Sequence, residues 1–304
     1  MRPDLVARLC RDLTQAAGLG SADRREPIRV WSLSGVERLC LADGRTAVFK
    51  YATEPFTGED HVLTFVRDRG VPVPVLAASA VRDGVLGMIM EDLGDPTRAA
   101  TETDAAIAAA RLHTSGTSPE LPTLGPSTLQ ALPGRGLAYL DQLRTADRFT
   151  DTADLTTHLA ELDKAASRRA AGADLPPFGL CHAELHPTSL HIGPSGWRLL
   201  DFAKAFNGPG LLDLATWQGT RHAPNPAQLR RLIHTYVAAG GHRGAQADRG
   251  HLPAEIWALG WHRVWAAVWL LGQAARGHHD PCTDQRHVPI VRRQLVHATR
   301  LLEG

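Results

Sequence analysis

The chain of 304 residues has few cysteines, no long apolar run and almost no net charge, and each shortage excludes a class of protein. Its four cysteines lie far apart without CxxC spacing, which argues against a disulfide framework and favours a reduced, cytoplasmic location. The stretch 1–18 lacks the apolar core of a signal peptide. The most apolar helix candidate, 256–271, contains His262 and Arg263 and is too short to span a membrane. A formal net charge of +1 gives no reason to expect nucleic acid or an anionic membrane as partner.

Lysine and asparagine are also scarce. The only lysines are Lys50, Lys164 and Lys204, and the only asparagines are Asn207 and Asn225. Because arginine cannot replace the compact charge of an ammonium group, a lysine in such an arginine-rich chain suggests a specific role.

Hydrophobic periodicity divides the chain into a β-rich part and a helical part. Before residue 93 we predict about five strands and one inserted helix, with turn signals at Asp43-Gly44 and Asp83-Gly84. After Gly94, apolar residues recur at helical spacing, interrupted by two short β runs near 190–192 and 197–200. The sequence therefore predicts an α+β fold of two lobes: a small β-rich lobe over 1–93 and a larger helical lobe over 94–304.

The segment 179–215 carries the most specific pattern. His182 is followed by Glu184 and then by Ser189, and Asp201 and Phe202 come next. This spacing is that of a kinase catalytic loop, His-x-Asp-x-x-x-x-Asn, followed by a metal-binding Asp before Phe. In this chain Glu184 stands where the Asp is usual, and Ser189 stands where the Asn is usual.

Several further motifs occur in the same order as in one known family. They are Ala47-Val-Phe-Lys50, Glu59, Arg69-Gly-Val-Pro-Val-Pro74, Met88-Ile-Met-Glu-Asp-Leu-Gly94, Arg111-Leu-His113, His182-Ala-Glu-Leu-His-Pro187, Leu200-Asp-Phe202 and Asp213-Leu-Ala215. Over roughly residues 28–270 the chain resembles the aminoglycoside phosphotransferase (APH)/choline kinase-like family of small-molecule kinases. The resemblance implies a protein-kinase-like fold.

The resemblance also implies roles for individual residues, with ATP (or GTP) and Mg²⁺ as cofactors. Lys50 would contact the phosphates and Glu59 would pair with it. Asp201 and Ser189 would bind the metal, and Asp213 would brace the catalytic loop.

The rest of the nucleotide site follows from the same resemblance. Met90, Glu91 and Leu93 would form the hinge beside the base. Ser34 and Gly35 would form the phosphate turn, where only one glycine is found. His182 and Glu184 would be the catalytic pair of the loop, with Glu184 as the base.

Three interpretations of the sequence with this altered loop stay open. Both replacements keep an oxygen ligand, and Asp and Glu have similar pKa values, so an active kinase remains consistent with the sequence. The extra methylene of Glu184 moves the carboxylate by about an ångström, and a misplacement of that size can cost roughly a hundredfold in rate. A catalytically impaired pseudokinase that binds nucleotide or a partner is the alternative. A kinase-fold enzyme that modifies a peptide natural product is a third possibility.

The composition of the C-terminal third bears on the acceptor. Residues 205–304 hold eleven arginines and nine histidines but only six acidic residues. Aminoglycosides are polycations and need a carboxylate-lined site. We therefore expect phosphate transfer to a hydroxyl of a neutral or anionic small molecule, for example of nucleoside type, with a possible role in antibiotic resistance. The protein would act as a monomer or homodimer.

Overall fold

The computed structural model describes residues 2–278 and 280–303. These residues form nine strands: β1 (Ala22–Val30), β2 (Ser34–Leu41), β3 (Thr46–Thr53), β4 (Leu76–Arg82), β5 (Val85–Glu91), β6 (Phe178–Cys181), β7 (Leu190–Gly193), β8 (Gly196–Leu199) and β9 (Phe206–Pro209). The same residues form ten α-helices: α1 (Pro3–Ala16), α2 (Glu59–Asp68), α3 (Glu102–His113), α4 (Pro126–Gln130), α5 (Leu132–Thr145), α6 (Ala153–Arg169), α7 (Gly210–Thr216), α8 (Pro226–Ala238), α9 (Ala254–Ala275) and α10 (Asp284–Glu303). The fold is α+β, as predicted.

The chain divides into two compact units. The N-terminal unit comprises the residues up to Thr101 together with Pro187–Ala205, and the C-terminal unit comprises Glu102–His186 and the residues from Phe206 onward. The predicted lobes, 1–93 and 94–304, differ from these units because the β7–β8 hairpin returns to the N-terminal unit. There, Leu199 N–H donates to the carbonyl of Pro72 at 2.9 Å, and Thr97 N–H donates to that of Ile192 at 2.8 Å.

A five-stranded antiparallel sheet forms the centre of the N-terminal unit, in the order β1-β2-β3-β5-β4. Successive side chains on a strand point to opposite faces, so β3 separates its residues into two sets. Phe49 and Tyr51 pack in the apolar core with residues of α1 such as Leu9 and Leu13. Lys50 lies between these aromatic residues in sequence and therefore points to the other face.

The C-terminal unit is mainly helical. The long helix α9 buries Trp257 and Trp261, whose indole N–H groups both donate to the carbonyl of Arg169, at 2.7 and 3.0 Å. The short strands β6 and β9 pair within this unit, and α7 begins directly after β9. None of the helices among the described residues combines the length and the hydropathy that a membrane crossing requires.

The close packing of α1 on β5 gives a first prediction. A Cβ added at Gly87 would lie 2.7 Å from two atoms of Leu9, so glycine is needed for this approach. We expect Gly87→Ala to lower the free energy of unfolding by about 1–3 kcal/mol, since a packed core resists added volume. The added Cβ would also lie 2.8 Å from Leu13, so a Leu9→Ala background should reduce the destabilisation without removing it. Urea unfolding of the two single variants and the double variant measures this difference, and strictly additive effects would contradict the packing argument.

Candidate functional site

Lys50 lies near the middle of the central strand β3. Its strand partners are Val36 on β2 and Met88 on β5, and only 5% of the residue is exposed. An ammonium group at such a position is stable only with compensating charge.

Two carboxylates supply that charge. The Nζ atom of Lys50 lies 2.7 Å from both oxygens of Glu59, with a hydrogen bond to Oε1, and it donates to Oδ1 of Asp201 at 2.7 Å. Glu59 is the first residue of α2, where the helix dipole favours a negative charge. Its Oε1 also accepts the backbone N–H of Phe202 at 3.0 Å. One buried glutamate thus fixes both the lysine and the segment that carries Asp201.

The protonation state of Lys50 follows from these contacts. Burial lowers the pKa of Lys50, but the attraction of Glu59 and Asp201 outweighs it and places the pKa above its ordinary value. Lys50 is therefore an ammonium ion at neutral pH. Asp201 has a φ of +69°, an uncommon backbone conformation for a residue other than glycine. The backbone is therefore strained at one of the two residues that hold Lys50.

A cavity of about 390 Å³ opens in front of this network, within the N-terminal unit. Its volume falls in the range of small-molecule sites. Six of the residues predicted from the sequence line it: Lys50, Glu59, Met90, Glu91, Leu93 and Asp201. Apolar side chains from β1, β2 and β3 and from the residue that follows β8 complete much of the wall: Ile28, Val36, Val48 and Leu200.

The predicted phosphate turn lies elsewhere. Ser34 and Gly35 are the first residues of β2, paired with Ala52 and Tyr51 of β3, and neither lines the cavity. A Cβ on Gly35 would lie 2.3 Å from the ring of Tyr51, so close packing explains the glycine. Their assignment to the phosphates stays a prediction without support from this geometry.

The predicted metal ligands offer oxygen donors, the kind that Mg²⁺ prefers. The side chain of Asp201 is 35% exposed and lines the cavity, so a cation there could reach its carboxylate. Ser189 is 2% exposed, and its carbonyl accepts the N–H of Leu200 at 2.8 Å. The donor chemistry fits a divalent cation at Asp201, whereas the buried Ser189 is less accessible.

The loop that contains His182 and Ala183, in the C-terminal unit, is held by Asp213 on α7. The two carboxylate oxygens accept the backbone N–H groups of His182, at 2.6 Å, and of Ala183, at 2.7 Å. Ala183 has a φ of +73°, so the carboxylate stabilises a strained backbone immediately before Glu184. This arrangement agrees with the bracing role expected for Asp213.

A contact between near neighbours in the chain positions His182 and Glu184. The imidazole of His182 is fully buried, and its Nδ1 accepts the backbone N–H of Glu184 at 3.2 Å. The side chain of Glu184 is half-buried. His182 therefore orients the loop, and the catalytic role of the pair stays a prediction.

The motif Arg111-Leu-His113 does not by itself indicate a role for His113. The Nε2 atom of His113 lies 3.3 Å from Oδ2 of Asp213, and its Nδ1 lies 3.3 Å from the hydroxyl of Tyr236. The order of the His113 and Asp213 motifs along the chain is a sequence signal. The contact between the two residues, 100 positions apart, is visible only in the structure.

His113, Cys181 and Asp213 bring three potential metal-ligand atoms within 4.8 Å of one another. Burial raises the pKa of the Cys181 thiol well above its ordinary value, so the thiolate that a metal needs is disfavoured. Both oxygens of Asp213 already accept backbone N–H groups. The group is consistent with bracing of the loop.

The fold and these contacts define a kinase-like protein with a buried Lys–Glu pair. The family model "Phosphotransferase enzyme family" (APH) matches residues 27–251, and the chain belongs to this family. A search of curated proteins found no match.

Solved structures show the same fold. A choline/ethanolamine kinase family protein from Mesorhizobium loti is 16% identical, with a TM-score of 0.66 and 98% of each chain covered. An amicoumacin kinase in complex with AMP-PNP, Ca²⁺ and Ami is 14% identical, with a TM-score of 0.61 over 97% of this chain and 96% of that one. A macrolide 2'-phosphotransferase from Brachybacterium faecium is 16% identical, with a TM-score of 0.60 over 95% and 98%.

The buried ion pair yields a prediction about stability. Glu59→Ala leaves the Lys50 ammonium without its main partner, and we expect a loss of about 3–5 kcal/mol in the free energy of unfolding. In a Lys50→Met background the same change should cost less, because no buried cation remains. Glu26→Ala is the control, since its pair with Arg24 is exposed and worth at most about 1 kcal/mol. Denaturant titrations compare the variants, and equal costs in both backgrounds would refute the coupling.

The strained loop yields a second prediction. Glycine adopts a positive φ without strain, so Ala183→Gly should leave the stability unchanged or raise it by up to about 1 kcal/mol. Ala160→Gly within α6 is the control and should cost about 1 kcal/mol. Thermal melts measure both variants, and a destabilised Ala183→Gly would show that the alanine side chain itself contributes at this position.

Proposed function

We propose that this protein is an ATP- and Mg²⁺-dependent phosphotransferase that acts on a hydroxyl group of a small molecule. The observation that carries the proposal is the cavity with a protonated, buried lysine held by Glu59 and Asp201 in one wall. Membership of the phosphotransferase enzyme family supports it. Among proteins of this fold, the amicoumacin kinase was solved with a nucleotide analogue and a divalent cation.

Each part of the cavity suits one part of a nucleotide. Val36, Val48 and Met90 offer an apolar surface for a base. The ammonium group of Lys50 would contact the phosphates, and Asp201 would hold the metal. A bound magnesium ion would supply charge neutralisation at the phosphates.

Glu184 is the proposed base. Its carboxylate would accept the proton of the acceptor hydroxyl while the oxygen forms a bond to the γ-phosphorus and the bond to the β-phosphate oxygen breaks, releasing ADP. The hydrogen bonds of Asp213 and His182 would keep the loop in the conformation that presents this carboxylate.

The acceptor is proposed to be neutral or anionic. Among the described residues from 205 onward, Arg249 and Arg263 are buried and cannot face a substrate. Eight arginines there are still exposed, against three exposed acidic residues. The arginines are Arg221, Arg230, Arg231, Arg243, Arg276, Arg286, Arg293 and Arg300, and the acids are Asp248, Asp280 and Glu303. This surplus of positive charge suits a polycation poorly.

Turnover assays test the proposal. Purified protein with Mg²⁺ and ATP or GTP would be given aminoglycosides, nucleoside-type compounds, macrolides and hydroxylated peptides, with phosphorylated product detected by mass spectrometry. We expect product with a neutral or anionic acceptor. Glu184→Gln should reduce kcat by about a hundredfold to ten-thousandfold, the usual contribution of a general base. Glu184→Asp should lose about a hundredfold, since its carboxylate is drawn back by about an ångström.

The controls separate the alternatives. Glu161→Gln, a change on α6, should leave kcat unchanged, and Asp201→Ala should abolish turnover. A rise in activity with Glu184→Asp would identify Glu184 as a degraded position. Tight nucleotide binding without turnover on any acceptor would favour the pseudokinase, and efficient turnover of aminoglycosides alone would refute the acceptor class.

A further inference from the structure

The charges that line the cavity are unevenly paired. Five carboxylates and three strong cations contribute to its wall: Glu59, Glu91, Asp92, Asp95 and Asp201, with Arg29, Arg38 and Lys50. Arg38 forms an ion pair with Asp92, with 2.7 Å between Nε and Oδ2, and Lys50 is held by Glu59 and Asp201. Within residues 2–278 and 280–303, Arg29 has no carboxylate at ion-pairing distance. Its charge is therefore available to a ligand.

An irregularity in β1 places Arg29 at the cavity. Pro27 pairs with Glu37, but Arg29 pairs with the next residue of β2, Val36, so Ile28 is an extra residue in a β-bulge. A bulge re-aims side chains, and here two consecutive residues, Ile28 and Arg29, both line the cavity.

Trp31 supports the arginine. The guanidinium carbon of Arg29 lies 4.7 Å from the centroid of the Trp31 ring, within the range of a cation–π contact. Trp31 is fixed in turn, because its backbone N–H donates to the carbonyl of Ser34 at 2.8 Å. Trp31 also lines the cavity, although 47% of it is exposed. Arg29 and Trp31 thus form a positively charged, partly exposed part of the cavity wall.

A positively charged part of the wall suits a polyphosphate. The planar guanidinium group matches phosphate oxygens with two parallel hydrogen bonds. A wall with five carboxylates repels a polyanion unless unpaired positive charge is present. The glycine that could have brought backbone amides to the phosphates, Gly35, lies in a paired strand outside the cavity lining.

We propose that Arg29, held against Trp31, binds the polyphosphate of the nucleotide and replaces the backbone amides of a glycine-rich turn. The inference rests on the proposed function, because it needs a nucleoside triphosphate in the cavity. It adds a specificity residue: Arg29 distinguishes ATP from nucleosides that lack phosphates.

Calorimetric titration of the full-length protein with ATP, AMP and adenosine in the presence of Mg²⁺ tests the inference. Arg29→Gln should raise the Kd for ATP by about tenfold to a hundredfold, the value of a charge-assisted hydrogen bond, and should change that for adenosine by less than about twofold. Arg29→Lys should give an intermediate Kd for ATP, since lysine keeps the positive charge but cannot form the two parallel hydrogen bonds of a guanidinium group. Arg24→Gln is the matched control, because Arg24 is an exposed residue of the same strand that pairs with Glu26 and does not line the cavity.

The outcomes separate the two proposals. An Arg29→Gln protein that binds ATP as well as Arg24→Gln does, or that loses ATP and adenosine equally, overturns the role of Arg29 and leaves the proposed function intact. A wild-type protein that binds none of the three ligands overturns the proposed function and this inference with it. Circular dichroism of each variant confirms that the fold is retained.

Discussion

The buried ammonium group of Lys50 is the constraint on which the N-terminal unit depends. A cation at the centre of a sheet is tolerable only if negative charge reaches it, and the two carboxylates that do so come from different parts of the chain. Glu59 requires α2 to begin at this face of the sheet. Asp201 requires the β7–β8 hairpin and the segment after it to return to the N-terminal unit. The positions of one helix and one hairpin are thus linked to a single charge.

The C-terminal unit shows a similar use of a buried charge. The Asp213 carboxylate holds two successive backbone N–H groups and lies beside His113, so the conformation of the loop before Glu184 is determined from α7 and α3. In both units, buried carboxylates fix backbone segments that carry functional candidates. Of the two altered positions, Glu184 follows the segment that Asp213 holds, and the carbonyl of Ser189 accepts the N–H of Leu200 at 2.8 Å.

Much of this could be predicted from the sequence, and the reasons are physical. The turn signal Asp43-Gly44 and the alternation along β3 identify local structure, and the hairpin between β2 and β3 is found as expected. Motif order identified Lys50, Glu59 and Asp201, which meet in the structure. The short strands β6 and β9 were not predicted, because four residues give too little periodicity. The proposed role of Arg29 depends on a bulge, and the close contact of Gly35 with Tyr51 is made across strands. Neither feature leaves a mark in local sequence.

The discontinuous N-terminal unit also has a consequence for the order in which the protein can be completed during synthesis. Domains generally fold as units from the N-terminus while the chain is still being made. Here the first sheet, with Lys50 and Glu59, leaves the ribosome well before Asp201 does. Until residue 205 has been synthesised, the unit lacks a hairpin and its lysine lacks one of its two counter-charges. The nascent sheet must therefore persist in an incomplete state, and its final structure depends on Asp201, which is made 151 residues after Lys50.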